Sequence, residues 1–387
     1  MKILMVHPHD IFSASEPWTI RITSIAEAMT NMGHEVKLIY FPLPKKERGL
    51  IITKDSTKKF ETIPFNRSKW AVFGNIFRII KYAKWADIIH FQKCFSNAAL
   101  PALFSSSILG KPVHYDWDDW EYLIYQFNPP SKIYGNFLNY LERFMPKVVD
   151  SMSVASDRLK EEAVSLGFDE NKIVKAPVCA DLKRFNPNNN GDEIRERYHL
   201  HGKKVVLYLG QLNGAQYVDL MLKGIGFLMD KRDDTRMLIV GGGSDLERLK
   251  NVAKKFGLEN KVVFTGFISD EEIPKCIAAA DVVLGYFEDN DQQRSKSPLK
   301  IVEYLGSGKA IIASAVGEVP FMLKDCGILV EPGNPYVFGE KISKLLDDPN
   351  KIKRMEKCAR KRAEEVFDWK ITAGKILKAY EIALNKK

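Results

Sequence analysis

The residues best suited to chemistry lie between Ser295 and Ser314, in the run SKSPLKIVEYLGSGKAIIAS. Two lysines four apart, Lys296 and Lys300, precede a glutamate one turn on, Glu303. Ser297 suits a helix N-cap, and Pro298 suits the first helical position. Ile301, Val302 and Leu305 then form an apolar stripe, and Gly306 and Gly308 end the helix before a strand at 310–313. Cations at a helix N-terminus are disfavoured by about 0.3–1 kcal/mol each. A bound phosphate would turn that conflict into an advantage, because free N–H groups and the dipole favour an anion there. A carboxylate at Glu303 could accept two hydroxyl hydrogen bonds, as a ribose diol offers. The plainer alternatives are two solvated lysines and a Lys–Glu surface pair.

Three further patches belong with this one. LIVGGG, Leu238 to Gly243, ends a strand in three glycines, and Gly210 ends an earlier strand with Gly214 in the loop that follows. Glycines let a backbone approach phosphate closely, although a tight strand–helix turn needs them equally. The run is not GxGxxG, and no acidic residue is placed to read a ribose as in dinucleotide enzymes. HYDWDDWEY, His114 to Tyr122, crowds Asp116, Asp118, Asp119 and Glu121 beside two tryptophans after a predicted strand. Such a cluster suits acceptor binding, a perturbed acid or base, a divalent metal, or a polar loop with packed tryptophans.

The elements that must position these groups alternate along the whole chain. Predicted strands at 3–7, 36–41, 88–91, 113–117 and 148–154 are separated by helices at 19–32, 67–84, 131–145 and 156–166. After a polar stretch the pattern restarts, with strands at 205–209, 237–240, 262–265, 282–284, 311–313 and 328–330. This alternation predicts an α/β chain of two doubly wound, Rossmann-like domains with parallel sheets, facing each other across a cleft. The expected boundaries are a first domain over 1–185, an Asn-rich linker over 186–203, a second domain over 204–366, and a terminal helix over 367–387. Length supports two full cores.

The net charge of +9 suits nucleic acid, an anionic membrane or an anionic substrate. No nucleic-acid motif is present, so no nucleic-acid partner is expected. The five cysteines are scattered, which predicts neither a zinc site nor a disulfide framework and suits a reducing, cytoplasmic setting. No secretory leader and no membrane-spanning run is read at the start or within the chain. Trp70, Phe73, Ile76, Phe77, Ile80 and Trp85 are interleaved with Arg67, Lys69, Arg78, Lys81 and Lys84. That pattern fits a basic amphipathic helix lying on anionic lipid, or a core-facing helix with a solvated back.

Seven segments in order resemble a GT-B glycosyltransferase, most closely glycosyltransferase family four. They are AMTNMGHEVKLI, KIVKAPVCADLKRFNP, VVLYLGQL, LIVGGG, VVFTGFISDEEI, PLKIVEYLGSGKAIIAS and FDWKITAGKILKAY. The resemblance spans nearly the whole chain and is most specific at 298–314. It implies a nucleotide-diphosphate sugar bound as co-substrate by the second domain and an acceptor bound by the first. That acceptor would be a glycan, a lipid-linked glycan or a small molecule. It also implies transfer with retention, no obligatory metal and no other cofactor. By position, Glu303 would hold the ribose, Phe267 and Ile268 the base, and backbone groups of Ser297, Pro298 and Leu299 the diphosphate, beside Gly210, Gln211 and Gly243.

The chain departs from the family at several positions. Ser295 stands where the family has the first of two glutamates, and Gln211 and Gln216 stand where it has an Arg and a Lys. Lys300, Lys296 and Arg294 are the candidate replacements for those phosphate cations. Asp116, or His114 two residues earlier, falls near the family's acceptor-side histidine. Lys300, Lys296 and Asp116 are therefore the expected catalytic groups. Two rivals follow: a nucleotide-sugar 2-epimerase-like isomerase, and a non-catalytic partner subunit with a degenerate donor site.

Overall fold

Among the described residues thirteen strands pair in parallel, in two separate sheets. In the first, β1 (Lys2–Val6), β2 (Glu35–Tyr40), β3 (Glu61–Pro64), β4 (Ile88–Gln92), β5 (Val113–Trp117), β6 (Ser151–Val154) and β7 (Ile173–Lys175) take the order β3-β2-β1-β4-β5-β6-β7. In the second, β8 (Lys204–Leu209), β9 (Thr235–Val240), β10 (Val262–Phe264), β11 (Val282–Gly285), β12 (Ala310–Ser314) and β13 (Gly327–Val330) take the order β10-β9-β8-β11-β12-β13. Central strands such as β4 and β5 are buried at every residue, as helices on both faces require. The computed structural model describes residues 1–13, 16–44, 58–127, 129–213 and 217–385.

The first sheet carries α1 (Ile20–Asn31), α2 (Val72–Trp85), α3 (Ser96–Leu109), α4 (Glu121–Tyr125), α5 (Lys132–Phe144) and α6 (Asp157–Ser165). The second half carries α7 (Asp192–Arg197), α8 (Val218–Met229), α9 (Leu246–Lys255), α10 (Ile273–Ala278), α11 (Asp291–Arg294), α12 (Leu299–Gly306), α13 (Val319–Leu323), α14 (Pro335–Leu346) and α15 (Pro349–Val366). The last helix is α16 (Trp369–Leu384). The chain divides into two compact units. One is Met1–Val178 with Ser295–Ser297 and Trp369–Lys387; the other is Cys179–Arg294 with Pro298–Asp368.

The expected linker over 186–203 lies inside the second unit. Its asparagines close turns rather than loosen the chain: Asn189 Nδ2 donates to the Arg184 carbonyl at 2.8 Å, and Asn190 Oδ1 accepts from Asp192 N at 2.7 Å. Ile194 and Leu200 are buried, and a Cβ on Gly191 would meet the Ala279 nitrogen at 2.3 Å. The first unit accordingly ends at Val178 rather than residue 185.

In the first unit α16 covers a buried polar cluster. Tyr380 Oη and His90 Nδ1 lie 2.6 Å apart, and the His114 ring lies edge-on to Tyr380. His114 places Nδ1 2.8 Å from Ser151 Oγ and Nε2 2.9 Å from Ser153 Oγ. Burial pushes His90 down to about 4 and His114 well below the usual imidazole range, so both are neutral at pH 7. In the second unit Cys326 and Cys358 form a disulfide, which corrects the expectation of none. Their separation of 32 residues hid the pairing, and the pairing removes the support that cysteine spacing gave to a reducing compartment. No helix among the described residues is long and apolar enough to cross a membrane.

Candidate functional site

The ends of β8, β9 and β10 meet through glycines. Gly210 N donates to the Val240 carbonyl at 3.0 Å, and Leu212 N to the Gly242 carbonyl at 2.9 Å. A Cβ on Gly241 would lie 2.1 Å from the Gly210 oxygen, and one on Gly243 would lie 2.2 Å from the Leu212 oxygen. The turn reading of these glycines therefore holds, since they let two loops touch backbone to backbone. Gly242 does something more. Its missing side chain makes room for the Phe267 ring, whose Cδ2 would lie 2.6 Å from a Cβ there. Phe267 remains 79% exposed, with Ile268 half-buried beside it. An open aromatic face of this kind can stack a base. Gly242→Ala should displace the ring and lower nucleotide affinity by about tenfold while leaving the melting temperature nearly unchanged, because base–aromatic stacking contributes about 1–3 kcal/mol. Calorimetric titration with a nucleoside diphosphate checks it, and equal affinity would remove Phe267 from the site.

Lys300 is the second residue of α12 and leans over the end of β8. Its Nζ donates to Tyr208 Oη at 2.9 Å and lies 4.1 Å from the centre of the Tyr208 ring, with the Phe287 ring at 5.8 Å. A Cβ on Gly210 would stand 2.8 Å from that ammonium, so glycine keeps its position clear. Tyr208, itself fully buried, is a positioning residue the sequence reading missed. The available signal was one hydroxyl in an otherwise aliphatic strand, VVLYLG. Glu303 follows on the same side of α12. Burial pushes its carboxyl up to about 8, against the pull of Arg184 and Lys300 towards the ionised form. Tyr304 Oη accepts from Leu209 N at 2.9 Å and so ties α12 to β8.

The helix starts later than expected. Pro298 is the N-cap of α12, with no side-chain cap, and Leu299 is the first helical residue. The Ser297 hydroxyl instead accepts from Val178 N at 3.1 Å, and the Ser295 carbonyl accepts from Ser156 Oγ at 2.7 Å. Ser295 to Ser297 therefore group with the first unit. Lys296 goes with them. Its ammonium is lowered by burial, and Asp119 and Glu121 oppose that shift. Lys300 alone of the two lysines lies on the helix. Arg294 is held by Asp289 at 2.6 and 2.8 Å. Gln211 is exposed, with Asn213 Nδ2 3.4 Å from its Oε1. Gly214 and Gln216 lie outside the described residues.

The acidic patch of the first unit is differently arranged from the expectation. Asp116 is fully buried in β5, and its carboxylate accepts from Arg21 Nε at 2.8 Å, Arg21 Nη2 at 2.7 Å and Ser153 Oγ at 2.5 Å. The Arg21 guanidinium outweighs burial and holds Asp116 down at about 2. That closed ion pair gives Asp116 a structural role in the packing of β5 against α1. Burial raises Asp118 to about 7 and Glu142 to about 8, so two carboxyls of the patch are shifted towards neutrality. Oxygens of Asp118, Asp119 and Glu121 come within 4.8 Å of one another, a spacing a metal could use. The buried ammonium of Lys93 stands among them, 3.3 Å from Asp118, 3.4 Å from Asp119 and in hydrogen bond with Glu121. A divalent ion there would have to displace that cation, so the geometry argues against the metal reading. Glu142 completes the patch, accepting from Trp117 Nε1 at 2.9 Å and from the backbone of Glu121 and Tyr122.

Both halves match known families. Residues 190–362 match the glycosyl transferases group 1, and residues 19–184 match glycosyltransferase family 4. Together the two matches support a GT-B, family 4-like glycosyltransferase. Among similar proteins, spore coat protein SA of Bacillus subtilis is 28% identical over 218 residues, 52% of this chain and 56% of that one. D-inositol 3-phosphate glycosyltransferase of Corynebacterium glutamicum is 26% identical over 254 residues, 62% and 59% respectively. The chain thus spans little more than half the length of these relatives. Solved GT-B structures agree in fold. HepE of Anabaena, in complex with UDP, is 16% identical over 98% of this chain and 100% of that one, with a TM-score of 0.75. Sucrose-phosphate synthase of Thermosynechococcus elongatus is 18% identical over the whole of both chains, with a TM-score of 0.76. The fold is the GT-B arrangement of two α/β domains.

Proposed function

We propose that the chain transfers a glycosyl group from a nucleotide-diphosphate sugar to a glycan, a lipid-linked glycan or a small-molecule acceptor. Transfer proceeds with retention and needs neither an obligatory metal nor another cofactor. The second unit holds the donor; the first serves the acceptor and works peripherally on the cytoplasmic face of an anionic membrane. The observation that carries the reading is Lys300, seated on Tyr208 beside the side-chain-free Gly210, with the buried carboxyl of Glu303 one turn along. When the anomeric C–O bond breaks, negative charge grows on the leaving diphosphate. A positioned ammonium and the positive end of the α12 dipole stabilise that charge without reorganising. Glu303 accepts the ribose hydroxyls, and Phe267 stacks the base.

The family match and the relatives named as glycosyltransferases favour transfer over the isomerase and partner-subunit readings. HepE, solved with UDP-glucose, supports a nucleotide-sugar donor by analogy of fold. Mass spectrometry of purified chain incubated with UDP-glucose or GDP-mannose and a lipid-linked acceptor tests the proposal. A glycosylated acceptor and free nucleoside diphosphate are expected. A sugar nucleotide epimerised without acceptor would replace transfer by isomerisation, and no turnover of any donor would favour the partner subunit.

A further inference from the structure

The helices α2, α3 and α5 cover one face of the first sheet. Ile79 and Ala83 of α2, Ala98 and Ala102 of α3, and Leu138 and Leu141 of α5 all enter a single core cluster. The faces turned away from that core are not polar. Trp70, just before α2, and Phe73 and Phe77 within it are 75–82% exposed and fall at i, i+3 and i+7. This settles the orientation of the basic aromatic helix: Asn75, Ile79 and Ala83 point inward, and the aromatics point outward. A second one-sided helical row lies on α5, with Ile133, Phe137 and Tyr140 exposed at i, i+4 and i+7. Phe104 and Ile108 form an exposed pair one turn apart on α3, which packs against α2.

The charge on this layer has one sign. Arg78, Lys81 and Lys84 of α2 and Lys132 of α5 are exposed. Neither α2 nor α3 contains an acidic residue. The single acid of α5, Glu142, is fully buried, with its carboxyl turned to Trp117 and the start of α4. A surface built only for solubility mixes both signs and breaks up apolar patches. Aromatic and aliphatic rows with basic residues and no acids match a bilayer bearing anionic headgroups, where rings enter the interface and ammonium groups meet phosphates.

We propose that the outer face of α2, α3 and α5 is the docking surface for an anionic lipid bilayer, entered by Trp70, Phe73 and Phe77 on one side and by Ile133, Phe137 and Tyr140 on the other. The proposal deepens the glycosyltransferase reading, which supplies the purpose of docking: it brings a lipid-linked acceptor to the first unit. Contact through three helices fixes orientation, which a single anchoring helix does not.

Flotation of the full chain with phosphatidylcholine vesicles, with and without phosphatidylglycerol, tests it, using wild type, Phe73→Ser/Phe77→Ser and Ile133→Ser/Tyr140→Ser. Wild type should float with the anionic vesicles only and be released by high salt. Each double variant should lose about tenfold in partitioning. The exposed positions should leave the melting temperature unchanged, which excludes misfolding. Brominated lipid should quench a fluorescence component that disappears in Trp70→Phe. No flotation, equal flotation on neutral vesicles, or full flotation of the Ile133→Ser/Tyr140→Ser variant would overturn the proposal. So would a concentration-dependent dimer abolished by these substitutions, since the face would then belong to a second copy. Titration with UDP on the same samples separates the two readings. Unchanged nucleotide affinity with lost flotation concerns the surface alone, and absent nucleotide binding concerns the donor site alone.

Discussion

Lys300→Ala is expected to lower kcat/KM for donor turnover by about a hundredfold or more, the loss usual when one preorganised charge at a leaving group is removed. The structure gives the reason for so large an effect. The ammonium is fixed by the Tyr208 hydroxyl at 2.9 Å and by the ring beneath it at 4.1 Å. A positioned charge costs little reorganisation when the diphosphate departs. Tyr208→Phe keeps the ring and removes the hydroxyl, so it should cost about tenfold or less, the worth of one hydrogen bond. Lys296→Ala should cost less than Lys300→Ala, because Lys296 groups with the first unit and its charge faces Asp119 and Glu121. Steady-state kinetics on the three variants checks the order. Equal, near-wild-type rates for both lysine variants would sink the phosphate role.

Arg21→Leu is expected to destabilise the first unit by about 3–5 kcal/mol, because it strands the fully buried Asp116 carboxylate. In a domain of this size that lowers the melting temperature by about 10 °C. Asp116→Ala strands the guanidinium instead and should cost a similar amount. Removing both partners should be milder than either single change, because no charge is then left uncompensated. Thermal melts and turnover on the four proteins separate the two roles open to Asp116. If the pair is structural, the double variant regains activity as it regains stability. An Asp116→Ala protein that melts like wild type but does not turn over would restore Asp116 as a catalytic carboxylate.

Much of the architecture was legible in the chain, for identifiable reasons. Buried parallel strands are largely apolar runs, so β8 to β13 stood out within a residue or two. The edge strands β3 and β7 did not, since ETIP and IVK are short and interrupted by polar residues or proline, which leaves no apolar run. Helix α3 was missed because SNAALPALFSSSIL is apolar or small all round and holds a proline, which leaves no 3.6-residue stripe. The residues proposed for the donor side form a motif in the sequence, and the structure gathers Gly210, Gly243, Lys300 and Glu303 in one unit. The Asn-rich stretch misled, because asparagines that close turns have the composition of a linker. The ion pair of Asp116 was not legible for a different reason. Its partner Arg21 is 95 residues away and reaches it only through the packing of α1, which no local pattern records.

The central claim is that the second unit holds a nucleoside diphosphate through Lys300 and Glu303. It is tested most directly by measuring UDP and GDP affinity against pH for wild type and Glu303→Gln. The Glu303 carboxyl titrates at about 8, above its ordinary value, so at pH 7 it is mostly protonated. A diol donates best to the ionised form, so binding should expel a proton, and affinity should rise as pH climbs through 8 and then level off. The gain between pH 7 and 9 should be about tenfold for wild type and absent in the variant. At a hundred times its dissociation constant the nucleotide should also stabilise the chain by about 2.7 kcal/mol. A pH-independent affinity equal in both proteins would remove Glu303 from the site. No binding of either nucleotide would contradict the account.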